Sequence, residues 1–306
     1  MYIFGPVPSR RLGLSLGVDL LNCKSCNLNC VYCELGRTFK YVTDRRVFVK
    51  TADMLAELKD FFDKGGKADY VTFSGAGEPT LAKNLGEAMD GARKLTNRKI
   101  ALITNAVLFH DVQVRKEASL ADVVLPSVDA VSEQVFMKLN RPSGRVNLKK
   151  YLDGLRMFGS GYRGKLWVEV MVVKGINDSD EEILKLKQYL DSVPNVEKIQ
   201  INTVVRARAE SFAEPIDKEK LEHIKELFGP KAEPIGAFTG GKIETIDNLR
   251  AAILSIIRLR PVTIQDLLSV LPAPEREIKQ YLDAFMKEGL AEKQVLNGKE
   301  FYRGAI

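Results

Sequence analysis

Apolar residues along this chain keep two alternating rhythms. Short apolar runs read as strands, several of them with period two, occupy residues 15–21, 70–74 (YVTFS), 99–105 (KIALITN), 122–129 (DVVLPSVD), 165–175 (KLWVEVMVVKG) and 196–205 (VEKIQINTVV). Stretches with helical spacing cover 51–65, 81–95, 131–139, 146–159, 178–193 and 217–229. Thr51 stands where a helix N-cap is wanted. About six strand–helix repeats through residue 228 predict an α/β fold with a parallel sheet and helical crossovers, as a partial barrel or a doubly wound sheet.

The strand faces bear on that choice. Thr72 and Ser74 share one face of their strand, Glu169 shares a face with Met171 and Val173, and Gln200 shares one with Asn202. A sheet covered by helices on both sides would bury those polar groups at a cost. A barrel lumen holding a polar ligand would use them.

Beyond residue 241 the rhythm becomes purely helical and then ends in a hairpin. Residues 242–259 read as a helix broken by Pro261, 263–271 as a second, and 274–290 as a third ended by Gly289. Residues 291–305 read as a hairpin with Asn297-Gly298 as a type I′ turn. This order resembles a winged-helix domain. The division expected is a barrel domain at 1–232, a linker at 233–242 and the winged-helix-like domain at 243–306.

Composition sharpens this picture only in places. A chain of 306 residues, 45% hydrophobic, can bury a large core. No window reaches ~18 uninterrupted apolar residues and MYIFGPVPSRRLG carries no signal-peptide run, so the reducing cytoplasm is the expected compartment. Net charge is +6, and the last 65 residues hold ten Lys or Arg against nine Asp or Glu, so the excess lies in the first 241. It suits an anionic partner such as a nucleotide or nucleic acid, or simply a lysine-rich surface. The third C-terminal helix mixes Glu275, Arg276, Glu277, Lys279, Asp283 and Lys287, poor for phosphate contact. Docking of a protein or tRNA substrate, dimerisation or a structural lid fit that helix better than DNA. With only His110 and His223, histidine acid–base chemistry is disfavoured.

All four cysteines lie in CKSCNLNCVYC, residues 23–33. In a reducing compartment such a cluster points to a metal or redox site rather than disulfides. A zinc site would use two C-x2-C pairs, but only three residues separate them, against roughly 15–20 in zinc ribbons. The other reading is an iron–sulfur cluster on cysteine thiolates.

The spacing Cys26-x3-Cys30-x2-Cys33, with Tyr32 before the last cysteine, resembles the signature of the radical S-adenosylmethionine (radical SAM) superfamily. FSGAGEPTL (73–81) resembles that family's Gly-Gly-Glu motif. GPVPSRRLGLSLGVDL and INTVVRARAE (201–210) extend the resemblance, over about residues 3–210, to the iron–sulfur oxidoreductases related to the tRNA wyosine-base synthases. The resemblance implies a partial (β/α)6 barrel with an open side. It implies a 4Fe-4S cluster on Cys26, Cys30 and Cys33, with one iron left for the amino and carboxylate groups of S-adenosylmethionine. One electron, from flavodoxin or ferredoxin, would cleave the sulfonium to methionine and a 5′-deoxyadenosyl radical, which takes hydrogen from a substrate, tRNA or protein.

On the same resemblance Ser74, Gly75, Gly77 and Glu78 seat the methionine end. Asn105, Ser127 and Asp129 hold ribose and carboxylate, and Tyr32 lies near the adenine. Read without the family, these are ordinary turn, cap and packing residues. VVKGIND (172–178) matches the adenine-contacting segment more weakly. Cys23 is extra to the motif, and no further cysteines exist for the second cluster of the wyosine synthases. Cys23 is a spare thiol, a cap on the open iron, or a group acting on the substrate. Glu169 is expected to orient substrate or cofactor from the lumen. Arg10, Arg11, Arg206 and Arg208 would clamp an anionic substrate at the barrel's open edges, or are solvated surface arginines. The competing reading is a zinc-stabilised winged-helix regulator whose α/β domain senses a nucleotide.

Overall fold

The computed structural model describes residues 1–21, 23–206, 208–235, 249–259, 261–296 and 298–305. The strands and helices alternate as the apolar rhythm requires. In chain order they are β1 (Ile3–Ser9), β2 (Gly13–Asp19), α1 (Thr51–Asp63), β3 (Tyr70–Ser74), α2 (Leu85–Leu95) and β4 (Lys99–Thr104). Then come α3 (Val112–Ala118), β5 (Val123–Pro126), α4 (Glu133–Leu139), α5 (Leu148–Gly161), β6 (Lys165–Val172), α6 (Asp180–Asp191), β7 (Val196–Thr203), α7 (Lys218–Phe228) and β8 (Ala232–Pro234). The eight strands form one sheet in strictly sequential order, β1 antiparallel to β2 and every later pair parallel. A doubly wound sheet reverses its order at a switch point. This one never does, and it curls instead into the partial TIM-like barrel, open between β1 and β8.

Some local expectations give way to the tertiary structure. The cap of α1 is Lys50, with no side-chain bond, while Thr51 is buried and its hydroxyl accepts from Asn84 Nδ2 at 2.9 Å. The helix expected over 81–95 begins only at Leu85, because Pro79–Leu81 forms a 3-10 turn whose N-cap is Glu78. Strands β1 and β8 and helix α3 carry no period clear enough to predict them.

The main core lies between sheet and helices and includes Val18, Phe73, Leu102, Val124, Val168 and Ile201 from the outward faces of β2 to β7. The lumen has its own apolar cluster. The β1–β2 turn drives Leu12, 2% exposed, against Ala101, Val123, Leu125 and Trp167. Beside it the polar lumen positions bond to one another, although Gln200 Oε1 is buried without a partner among the described residues. Thr72 and Ser15 hydroxyls lie 2.7 Å apart, Glu169 pairs with Arg11 and accepts from Asn202 Nδ2 at 3.2 Å, and Gln200 Nε2 donates to Glu233 at 3.1 Å. The lower lumen is thus filled by the protein's own turn.

The helix–helix–helix–hairpin order expected at the C-terminus is present as α8 (Leu249–Leu259), α9 (Ile264–Val270), α10 (Glu275–Lys287), β9 (Ala291–Leu296) and β10 (Lys299–Gly304). Residues 236–248 and Asn297 lie outside the described residues, and with them the start of the first helix, most of the expected linker and half of the expected turn. Glu233 and Pro234, placed in that linker by the sequence, belong to β8. Ile253, Ile256 and Ile257 of α8 share one core with Phe4, Val7 and Leu14 of the first hairpin. Gly17 permits this: a Cβ there would stand 2.1 Å from the Phe4 ring. Among the described residues no helix is long and apolar enough to cross a membrane.

Candidate active site

The carboxyl ends of parallel strands form the usual mouth of a barrel, and here the loop after β2 is laced across it. Ser25 pairs with the turn after β3: its N–H donates to Ala76 O at 2.8 Å and its carbonyl accepts from Glu78 N at 2.9 Å. Gly77, with φ +145°, makes that approach possible, since a Cβ would lie 1.8 Å from Ser25 O. Gly75, with φ +125°, lets the turn pass Asp19, whose carboxyl would stand 2.5 Å from a Cβ. On the other side Asn29 N and Val31 N donate to Asn140 O and Leu139 O, each at 3.0 Å. The cysteine loop is therefore fixed at both ends by backbone ladders.

Three of its thiols receive N–H donors. Cys26 Sγ accepts from Leu28 N at 3.4 Å and Asn105 Nδ2 at 3.6 Å, Cys30 Sγ from Asn140 Nδ2 at 3.4 Å, and Cys33 Sγ from Lys24 Nζ at 3.5 Å. Lys24 also donates to Gly36 O. Burial, reinforced by the Glu78 charge, pushes the Cys26 thiol up to about 12, and burial with Asp129 pushes Cys30 well above its ordinary value. Such thiols stay protonated until a metal's charge favours the thiolate. The donors then face charged sulfur, the arrangement that tunes an iron–sulfur centre.

The donor set fits such a cluster. Cys30 feels the charge of Cys26 and Cys33, and Cys26 that of Cys33. Yet among the described residues no three Cys, His, Asp or Glu side chains close around the position of a single ion. In a cluster each thiolate binds a different iron, so the sulfurs need not converge. Polar atoms beside them also await partners: Asn27 Nδ2 and Asn140 Oδ1 are buried without a hydrogen bond among the described residues. Cys23 is exposed at the rim, 3.7 Å from Ser25 Oγ, and receives none of these N–H donors.

Two buried carboxyls brace the mouth. Glu78 Oε1 accepts from Thr80 N at 3.0 Å and from the Thr80 and Thr104 hydroxyls, both at 2.6 Å, and Oε2 accepts from Asn105 N at 2.6 Å. It ties the end of β3 to the end of β4. Asp129 Oδ2 accepts from Tyr32 OH and from Asn140 Nδ2 at 2.8 Å, and Oδ1 from Met171 N at 2.9 Å. Burial raises both carboxyls above the ordinary range, against the pull of these bonds.

Of the residues singled out in the sequence, Cys26, Cys30, Cys33, Tyr32, Glu78, Asn105 and Asp129 thus meet in one hydrogen-bonded and electrostatic network. Ser74 ends β3 beside it, and Gly75 and Gly77 lie in the turn that follows. Ser127, half-buried, bridges β5 to Glu169 of β6, and its carbonyl accepts from Tyr151 OH at 2.5 Å. Glu169 lies deeper, bound to Arg11. The pattern did not flag Asn27, Asn140, Lys24 or Thr104. Single N–H or O–H donors leave no spacing to read, although Asn27 sits inside the cysteine motif.

A model of the radical SAM superfamily matches residues 23–186, which run from the cysteine loop into α6. The chain belongs to the radical SAM superfamily. A superfamily member works with S-adenosylmethionine and an iron–sulfur cluster, and this protein is such an enzyme. It is 33% identical over 306 residues to a UPF0026 protein of Methanocaldococcus jannaschii, covering 98% of this chain and 94% of that one. It is 38% identical over 209 residues to a UPF0026 protein of Synechocystis, covering 67% of this chain and 76% of the relative. The solved structure of TYW1 with a lysine-pyruvate adduct bound shares the fold, with a TM-score of 0.54 and 15% identity over 74% of this chain and 75% of that one. The zinc-stabilised regulator is left without support.

Proposed function

We propose that Cys26, Cys30 and Cys33 hold a 4Fe-4S cluster and that the enzyme abstracts hydrogen from a large substrate, tRNA or protein. The three half-buried thiols, each supplied with an N–H donor on a loop fixed by backbone ladders, carry this reading. When bound, S-adenosylmethionine reduced at the cluster supplies a 5′-deoxyadenosyl radical. The chain's own part is aim and shielding. The turn of Ser74, Gly75 and Gly77, bare of side chains at both glycines, faces the methionine end, and Glu78 keeps that turn and Asn105 in place from behind. Asn105 and Ser127 face the ribose and carboxylate, with Asp129 orienting Tyr32 towards the adenine. Flavodoxin or ferredoxin in the cytoplasm delivers the electron. The tRNA alternative draws on the sequence resemblance to wyosine-base synthases.

Anaerobically reconstituted protein, reduced with dithionite, should convert S-adenosylmethionine to 5′-deoxyadenosine and contain about four irons per chain. Cys30→Ala should lose both, whereas Cys23→Ser should keep its iron, because Cys23 stands outside the donor network. A colourless protein with one zinc per chain would overturn the assignment.

A further inference from the structure

A cavity of about 660 Å³ lies where the barrel meets the C-terminal module. The barrel contributes Arg10 and Arg206, and the module contributes Asp266, Glu275, Lys299 and Glu300. By formal charge this lining is balanced, but its partners are not. Asp266 closes a capping box with Thr263, Glu275 pairs with Lys279 at 2.6 Å, and Glu300 pairs with Lys293 at 2.8 Å and accepts from Tyr302. Glu275 and Glu300 are thus paired with lysines, while Asp266 is held by the Thr263 N–H and hydroxyl and keeps its charge near Arg10. Arg206 pairs with Glu34, the neighbour of Cys33, at 3.2 Å. Arg10 has one long bond, 3.4 Å, to the neutral Asn202 amide, and Lys299 has no partner among the described residues. Burial and the neighbouring Arg206 charge lower the Arg10 guanidinium to about 10, against the opposite pull of Glu34 and Asp266.

We propose that this cavity seats a phosphate group, with Arg10 and Lys299 as its principal contacts and Arg206 as the link to the cluster loop. Arg10 and Lys299 converge there with no ion pair of their own among the described residues, and a phosphate oxyanion offers acceptors to both at once, which a carboxylate does less well. The position fits a substrate's phosphate. Glu34 joins the cavity wall to Cys33, and Asn202 joins Arg10 to the lumen residue Glu169. The C-terminal module then has a defined role: it supplies the outer wall of the substrate site. Only the word substrate rests on the radical reading.

The test needs neither S-adenosylmethionine nor a reductant. Inorganic pyrophosphate is titrated calorimetrically into the full chain in phosphate-free buffer, with acetate as the carboxylate comparison. Wild-type protein should bind pyrophosphate and not acetate. Arg10→Gln and Lys299→Gln should each weaken binding by ~10-fold or more, the worth of a charge-assisted hydrogen bond. Lys299 lies on the exposed hairpin, so its variant folds even if Arg10→Gln does not. No pyrophosphate binding, acetate bound as tightly, or affinity within twofold of wild type in folded variants would each overturn the proposal. Because the cluster is not involved, a failure here leaves 5′-deoxyadenosine formation intact, and the reverse holds equally.

Discussion

Gly77 shows how much a single missing Cβ carries. Its φ of +145° suits glycine almost alone, and the Ser25 carbonyl occupies the space any side chain would need. Gly77→Ala should therefore cost ~3 kcal/mol or more in local backbone strain and clash. The loop would yield before the barrel does. The expected outcome is a sharp fall in iron per chain after reconstitution, with the far-ultraviolet circular dichroism spectrum unchanged; full iron loading would show that the ladder to Ser25 does not position the thiols. The cysteines and the glycine turn were legible in the sequence because their chemistry demands those residue types at close spacing. Asn140, which serves Cys30 and Asp129 at once, was not, because it reaches the site only through the packing of α4.

At the level of elements, the six strands that were predicted are those with a continuous apolar run or a clear period of two, and the misses have physical causes. The β1 segment IFGPVPS holds two prolines and a glycine, which argue against a strand, yet it survives at an edge where a missing N–H costs little. The three-residue β8 is too short to show a period, and the seven-residue α3 is mostly polar. The alternation of polar residues shows that Glu169, Gln200 and Asn202 face inward but not what meets them, since a turn folding back into its own barrel leaves no periodic trace. That turn makes a testable unit. Arg11 and Glu169 side chains are 17% and 12% exposed and face each other in the lumen. Removing either alone should strand a nearly buried charge and cost ~3 kcal/mol, whereas replacing both should cost less than the single changes together. Urea unfolding of Arg11→Met, Glu169→Met and the double variant gives the coupling directly. Additive losses would mean that the pair is solvated after all.

At the scale of the whole molecule, the first hairpin is the joint, shared between the barrel sheet and the core of the C-terminal module. Asp19 ends the strand β2 of that hairpin. Burial pushes its carboxyl up to about 6 from the ordinary 3.8, while the Leu21 and Ala76 N–H groups and the charge of Arg258 on α8 pull it back. Between those two values the native chain binds more protons at this site than the unfolded chain. Stability from this group therefore falls as pH rises from about 4 to about 6 and stays low above it. The charged form at neutral pH costs about 3 kcal/mol by this reckoning. Glu78 and Asp129 are raised in the same direction, so the wild-type curve alone does not isolate Asp19. The difference between Asp19→Asn and wild type does. An asparagine cannot titrate and keeps an oxygen for Leu21 N, which lies 2.8 Å from the carboxylate. The variant should match or trail the wild type near pH 4 and gain on it steadily up to pH 6, with the gap constant beyond. A denaturation series across that window reads this gap, and a gap that does not change with pH would place Asp19 in contact with solvent.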